Sequence, residues 1–385
     1  MASAVNIAVK DNPVEGMQAF LKSLLEDDEI GAVLVQRHLG GKGMTMPTLV
    51  TDPAELDQAD PLCPSFPLNG AKLVARLTRG QTDMGVVAAV LRPCEIRAFI
   101  ELVKLNQGSM DNVLLIGVDC YGAFSNADYQ KYLAANGQST VTDKTLTYLK
   151  TVSGGATSIE GIEIAAGCRA CEHPAADSAD LSIGLFGLDP DQALLAISNT
   201  PRGEGLLNRL DLPEAASLDA RKKHLAEIVN ERTAFRDDMF STTAEATDTL
   251  EKLSDYLSGC VNCYNCRVAC PVCYCKECVF VTDVFDHKPW QYLGWARQKG
   301  ALKLPTDTVF FHLTRLAHMS ASCIGCGQCS NACPNNVPVM ELFRMVAADV
   351  QKAFDYHPGA DPNEAPPLTV FHEREFAEMT GGSLD

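Results

Sequence analysis

Cys260-Val-Asn-Cys263-Tyr-Asn-Cys266-Arg-Val-Ala-Cys270-Pro271 decides how this chain is read, because it returns as Cys323-Ile-Gly-Cys326-Gly-Gln-Cys329-Ser-Asn-Ala-Cys333-Pro334. Both copies follow C-x2-C-x2-C-x3-C-P, the spacing that holds cubane [4Fe–4S] clusters. The short steps let three thiolates of one loop close on three corners of a cube. The fourth cysteine opens a helical turn, points away and ligates the other cluster. The spacing therefore predicts one site from Cys260, Cys263, Cys266 and Cys333, and a second from Cys323, Cys326, Cys329 and Cys270. Zinc prefers two C-x2-C pairs, or such a pair with histidines. Three evenly stepped cysteines followed by Cys-Pro, twice, argue against zinc and against a disulfide framework.

A chain of 385 residues accommodates two domains, or one large domain with an appendage. Acidic residues outnumber basic ones by 49 to 32, for a net charge of −17. That balance opposes binding to nucleic acid or to an anionic membrane surface. Residues 1–6 lack the basic and apolar regions of a secretory signal, and no apolar run is long enough to span a bilayer. Sixteen cysteines in such a chain imply reduced thiols serving metals. The expected compartment is the cytoplasm, at low oxygen.

In chain order, apolar residues at Val14, Met17, Phe20, Leu21, Leu24 and Leu25 predict a helix capped by Asn12-Pro13. Gly31–Val35, Gly85–Leu91 and Val113–Val118 read as buried strands. Helices over Ala71–Leu77 and from Pro93 to Leu105 alternate with them, so a mostly parallel sheet is expected. Ligands gather beyond the carboxyl ends of such strands, where Cys94 and Cys120 fall. The Gly-rich loop Leu39–Gly43 matches neither phosphate-binding pattern and reads as a surface turn. Asn126 to Thr157 reads as an insertion or helical excursion. Leu181–Leu188 and Ala193–Ser198 are expected to pair as strands. Helices are predicted over Ser217–Phe235, Thr242–Leu257, Thr308–Met319 and Val337–Phe354. The expected fold is an α/β domain over residues 1–215, a mainly α-helical two-cluster domain over 216–355, and a tail over 356–385 that lies over a neighbour.

Eight cysteines remain. Cys94, Cys120, Cys168 and Cys171 combine two strand-end thiols with a C-x2-C loop. They form either a four-thiolate metal set or, for Cys94 and Cys120, small buried apolar groups. Cys273, Cys275 and Cys278 crowd behind Cys270. With Cys63 from the Pro-rich loop they could hold a fourth cluster, or they line a cluster pocket.

Arg92-Pro-Cys94-Glu95-Ile-Arg97-Ala98, Leu115-Ile-Gly-Val-Asp119-Cys120-Tyr-Gly122, and Cys168-Arg-Ala-Cys171 with Ala179-Asp180-Leu-Ser-Ile-Gly184 resemble the beta-subunit family of coenzyme F-420 hydrogenases and formate dehydrogenases. The resemblance covers about residues 12 to 190. It implies FAD and a further [4Fe–4S] cluster on Cys94, Cys120, Cys168 and Cys171. That family opens its first helix with a Gly-Gly turn, where this chain reads Val14-Glu15-Gly16. The C-terminal half is similar to the helical ferredoxin domains of heterodisulfide-reductase-type enzymes.

A cubane cluster moves single electrons and a hydride carrier gives two; a flavin bridges the regimes. On this reading Asn69, Lys72, Arg92 and Glu95 contact FAD, the first two beside a helix N-terminus suited to phosphate. The implied role is an electron-transfer subunit beside a formate dehydrogenase or hydrogenase catalytic subunit, or a heterodisulfide-reductase-type flavoprotein. NADH, a deazaflavin coenzyme or ferredoxin are the implied exchange partners. A flavin-free wire and a direct NADH or deazaflavin oxidoreductase are the competing readings. No nucleophile–base pair is evident. His287, His312 and His318 are expected to be structural or to sit behind metal ligands.

Overall fold

A computed structural model of the chain describes residues 4–40, 43–80, 84–135, 139–215, 217–282, 288–299 and 307–370. Gly41, Lys42, His287 and the end of the tail lie outside the described residues. The strands are β1 (Ala4–Ala8), β2 (Ile30–His38), β3 (Thr45–Val50), β4 (Val86–Leu91), β5 (Val113–Val118), β6 (Ser158–Ile159), β7 (Ile162–Glu163), β8 (Leu181–Gly184) and β9 (Ala193–Ser198). One sheet has the order β1-β9-β8-β5-β4-β2-β3, and β6 and β7 form a separate hairpin. β2, β4, β5 and β8 are parallel neighbours. β3, β9 and β1 are added antiparallel, so a parallel centre carries antiparallel edges. The central strands Val-Val-Ala-Ala-Val-Leu and Val-Leu-Leu-Ile-Gly-Val are apolar on both faces because both faces are covered. β3 tolerates Pro47 because it is an edge strand.

Alternate residues of each strand face two cores. One core packs Val33, Val35, Ala88, Val90, Leu114 and Ile116 against Met17, Phe20, Leu21 and Leu24 of the helix Pro13–Leu25. The other packs Ala32, Leu34, Val87, Ala89, Val113 and Leu115 beneath the helices Ala71–Leu77 and Pro93–Lys104. This second core continues into Leu253, Leu257, Leu316, Met319, Ile324, Val337, Leu342 and Phe343 of the C-terminal region. The helical half is therefore seated on the sheet face that carries Cys94.

The predicted excursion over 126–157 contains two capped helices, Asn126–Ala134 and Val141–Ser153, which bury Tyr129, Tyr132 and Tyr148. The two helices expected over 217–257 divide differently: one runs from Asp219 to Thr247 and a short one from Leu250 to Tyr256. Residues 236–241 hold no glycine or proline to stop the first. The second starts where Thr249 caps the Lys252 amide at 3.2 Å. Helices Asp307–Met319 and Val339–Ala353 complete the C-terminal part. No described helix is long and apolar enough to cross a membrane.

The start of the tail folds back as a strap on the helix Pro93–Lys104. Tyr356 donates its hydroxyl to the Glu101 carboxylate at 2.8 Å, and the Gly359 amide donates to the same group at 2.8 Å. Arg97 donates from Nε and Nη2 to the Pro358 carbonyl at 3.1 and 2.9 Å. Gly359 adopts φ +74°, and a Cβ there would lie 2.4 Å from the Arg97 carbonyl oxygen. Only glycine suits that approach.

Candidate metal centres

The N-terminal thiol set is built at the ends of two parallel strands. Cys94 sits in the first turn of the helix after β4, and Cys120 follows β5. The Cys120 amide donates to the Pro174 carbonyl at 2.9 Å, and Ala165 donates to Ala123 at 2.9 Å. These two bonds bring the loop bearing Cys168 and Cys171 to the strand ends. Gly122 adopts φ +119°, and a Cβ there would lie 3.1 Å from that of Cys168. Burial raises the Cys94 thiol well above its ordinary value, and Cys326, Glu95, Cys120 and Cys171 push the same way. Burial, with Cys120 and Cys171, pushes Cys168 up to about 12. Cys120 is raised by burial against the pull of Arg92 and Arg232. Metal binding at such a site requires these thiols to give up their protons. Arg232, on the long helix, donates to the carbonyls of Cys120 and Tyr121 at 3.2 and 2.8 Å. On the same helix Arg221 makes a fork to Asp119, Nε at 2.8 Å and Nη2 at 2.6 Å.

The C-terminal cysteines fall into two groups. Cys270, Cys323, Cys326 and Cys329 line one cavity with Arg315, Met319 and Phe343. Cys260 has Cys333 and Cys263 as electrostatic neighbours, and Cys266 has Cys260, Cys263 and Cys333. Cys266 is pushed up to about 11 by burial, against the pull of Arg315. Positive φ at Tyr264 (60°), Gly325 (72°) and Gly327 (77°) bends the loops tightly around their thiols. Several donors aim at the sulfurs. The Val337 amide donates to Cys333 Sγ at 3.3 Å, Arg315 Nη1 donates to Cys266 Sγ at 3.2 Å, and His312 Nε2 stands 3.4 Å from Cys260 Sγ. Burial, with Arg315, lowers His312 to about 4. N–H groups directed at sulfur suit thiolates better than neutral thiols. The donor set is all sulfur, which fits iron–sulfur chemistry.

The two regions meet loop to loop. A Cβ on Gly167 would lie 3.0 Å from Gly327 Cα, so the backbones around Cys168 and Cys326 touch. Gln328 and Asn331 donate to the Phe66 carbonyl at 3.0 and 3.1 Å, and the Asn126 amide donates to Asn331 at 2.8 Å. Glu172, next to Cys171, pairs with Arg344 of the last helix and with Arg236 of the long helix. A cavity of about 300 Å³ lies beside this junction, lined by Phe66, Phe124, Gly167, Gln328, Asn331 and Met340 among others.

The residues expected to meet flavin each bond to nearby backbone, with Asn69 Nδ2 and Arg92 Nη1 left buried and without a hydrogen-bond partner. Asn69 Oδ1 caps the Ala71 amide at 3.0 Å. Glu95 accepts from the amides of Gly70 at 2.7 Å and Arg92 at 2.8 Å. Arg92 donates to the carbonyls of Cys63 and Ser65 at 2.6 and 2.8 Å, and lies 4.7 Å over the Phe66 ring. These three are buried struts that hold the Pro-rich loop on the strand ends. Lys72 donates to the Val268 carbonyl at 3.1 Å and so ties its helix to the first cysteine loop. The structure does not join Cys63 to Cys273, Cys275 and Cys278. Cys63 is buried in the core on the other sheet face, its Sγ 3.1 Å from Tyr129 Oη. Cys273 packs on the core beneath the helical half, and Cys275 is exposed. The Pro-rich loop is tied down by Arg92 and cannot reach them. Arg232, Arg315, Arg344, Glu172 and His312 bear on the thiols without any local pattern announcing them.

Residues 84–223 match the family described as the C terminus of the coenzyme F420 hydrogenase/dehydrogenase beta subunit. Residues 256–337 match the 4Fe-4S dicluster domain. The chain is 28% identical to the F420-dependent formate dehydrogenase subunit beta of Methanocaldococcus jannaschii over 372 residues, 91% of this chain and 92% of that protein. It is 26% identical to the F420-dependent formate dehydrogenase 1 subunit beta of Methanococcus maripaludis over 307 residues, 73% of this chain and 74% of that one. A chain of the F420-reducing NiFe hydrogenase complex from Methanosarcina barkeri aligns with a TM-score of 0.45 and 14% identity, over 65% of this chain and 94% of that one. One stretch of the chain thus matches the C-terminal family of F420 hydrogenase/dehydrogenase beta subunits and a later one the 4Fe–4S dicluster domain, and the chain is a homologue of F420-dependent formate dehydrogenase beta subunits.

Proposed function

We propose that this chain is an iron–sulfur electron-transfer subunit of a formate dehydrogenase or hydrogenase complex, holding three [4Fe–4S] clusters in two functional units, residues 1–215 and 216–355. Cys94, Cys120, Cys168 and Cys171 would hold one cluster. Cys270, Cys323, Cys326 and Cys329 would hold another, and Cys260, Cys263, Cys266 and Cys333 the third. Such clusters supply single-electron transfer when bound. The chain's own contribution is to fix their spacing and surroundings. The observation that carries the reading is the junction: the glycines at 167 and 327 let the loops bearing Cys168 and Cys326 touch, and Gln328 and Asn331 of the second loop bond to the Phe66 carbonyl. At the opposite end Cys263 is exposed, which supports that loop as the face toward another protein.

FAD at the strand ends is the second reading, favoured by homology to F420-dependent beta subunits. Glu95 is occupied by the Gly70 and Arg92 amides, whereas Asn69 Nδ2 and Arg92 Nη1 are buried without a hydrogen-bond partner and remain candidates to contact it. A fourth cluster is not part of the proposal, because Cys63 lies apart from Cys273, Cys275 and Cys278.

Iron, acid-labile sulfide and flavin per chain in anaerobically purified protein test the proposal. Cys94→Ser should lose about four irons per chain, and Cys273→Ser none. A colourless, sulfide-free preparation would overturn the iron–sulfur assignment, and stoichiometric released flavin would establish the second reading.

A further inference from the structure

Arg315 is 4% exposed, on the helix Asp307–Met319. Its Nη1 donates to Cys266 Sγ and its Nη2 to the Cys266 carbonyl, each at 3.2 Å. The guanidinium lies 4.6 Å over the Phe343 ring and 5.6 Å from that of Phe311. The same side chain lines the cavity formed by Cys270, Cys323, Cys326 and Cys329. It thus bonds to one cysteine group of the dicluster region and lines the cavity of the other. Its Nε finds no hydrogen-bond partner, and none of the ion pairs among the described residues includes it. A buried guanidinium with no carboxylate is uncompensated unless the thiolates balance it.

We infer that Arg315 is a shared potential-setting residue, one fixed positive charge held between two clusters that raises the reduction potential of both. The inference rests on the cluster assignment proposed above. Adding an electron to a thiolate-bound cluster adds negative charge, so a nearby cation and an N–H donor to sulfur both favour the reduced form. The two effects are divided unequally. The group containing Cys266 receives the hydrogen bond and the charge, whereas the group containing Cys270, Cys323, Cys326 and Cys329 receives the charge. His312 supplies Cys260 with a second contact, but it touches only one group.

The test is an EPR-monitored potentiometric titration of the anaerobically purified holoprotein, with iron and sulfide measured on each sample. Arg315→Gln should move both midpoint potentials to more negative values at unchanged iron content. Arg315→Lys keeps the charge and loses the fork, so only the cluster that includes Cys266 should shift. If the glutamine variant fails to retain clusters, Arg315→Met, which keeps the apolar stem and removes the charge, takes its place, with the same downward shift of both potentials expected. Unchanged potentials in an iron-replete glutamine variant, or equal shifts of both clusters in the lysine variant, would overturn the inference. Absence of iron and sulfide from the unmodified protein would instead overturn the cluster assignment.

Discussion

Glu172→Gln tests whether the junction between the two halves depends on one carboxylate. Glu172 follows Cys171, and its two oxygens serve two cations: Oε2 pairs with Arg344 and Oε1 lies 3.2 Å from Arg236. Arg236 keeps Asp237 at 2.7 Å after the change. Arg344 does not: its side chain is 9% exposed and Nη1 has no other partner. The substitution therefore leaves one nearly buried charge without a partner. Breaking a fully buried pair costs about 3–5 kcal/mol, whereas an exposed pair contributes about 0–1 kcal/mol. With the Glu172 side chain 27% exposed, the cost should be about 2 kcal/mol. At one scan rate this corresponds to a fall in Tm of about 2.5 °C. Adding Arg344→Met removes the stranded cation, so the double variant should be more stable than the sum of the two single losses. A single-variant loss below about 0.5 kcal/mol, or strict additivity in the cycle, would refute this account of the junction.

Glu101 is fully buried and holds the strap through Tyr356, Gly359 and Lys104. Glu101→Gln should lower stability by about 3 kcal/mol, and limited proteolysis should then cut within residues 355–365 faster; unchanged cleavage would mean that Arg97, Lys104 and Ser178 hold the strap without Glu101. The Arg209 hydrogen bond, against the opposing effect of burial, keeps the Asp27 carboxyl below its ordinary range. A carboxylate depressed on folding stabilises above its unfolded pKa, and that stability is lost as pH falls through the folded value. Thermal melts of Asp27→Asn should therefore lose less than the unmodified protein across that acid window, and parallel curves would sink the assignment.

The cysteine spacing carried far because it is a local property. C-x2-C-x2-C-x3-C-P needs only consecutive residues to curl round one centre, so it can be read without knowing where the loop sits. The central strands were equally legible, since Val86–Leu91 and Val113–Val118 are unbroken apolar runs bounded by turns. The edge strands Ala4–Ala8 and Thr45–Val50 were not, because an edge carries polar residues and a proline that blur its pattern. The flavin contacts were sought in Asn69, Lys72, Arg92 and Glu95 from their position near strand ends and a helix start; Asn69, Arg92 and Glu95 bond to nearby backbone, while Asn69 Nδ2 and Arg92 Nη1 are left without a hydrogen-bond partner. Polar residues before a helix serve the helix first, and nothing in their order says whether capacity is left over for a ligand.

By itself, the order of residues pointed to a 4Fe–4S dicluster region, because thiol chemistry and loop spacing act over a dozen positions. It also determined the sheet interior and the sign of the surface. Only the tertiary structure decided which loops touch. Folding seats the helical half on the Cys94 face, presses Gly167 against Gly327, sends Cys63 to the opposite core and slides Arg315 between the two cysteine groups. Those outcomes depend on contacts between residues dozens to hundreds of positions apart. Such contacts are set by which apolar faces bury together and which buried charges then find a counter-charge, and neither is recorded in any short stretch of chain.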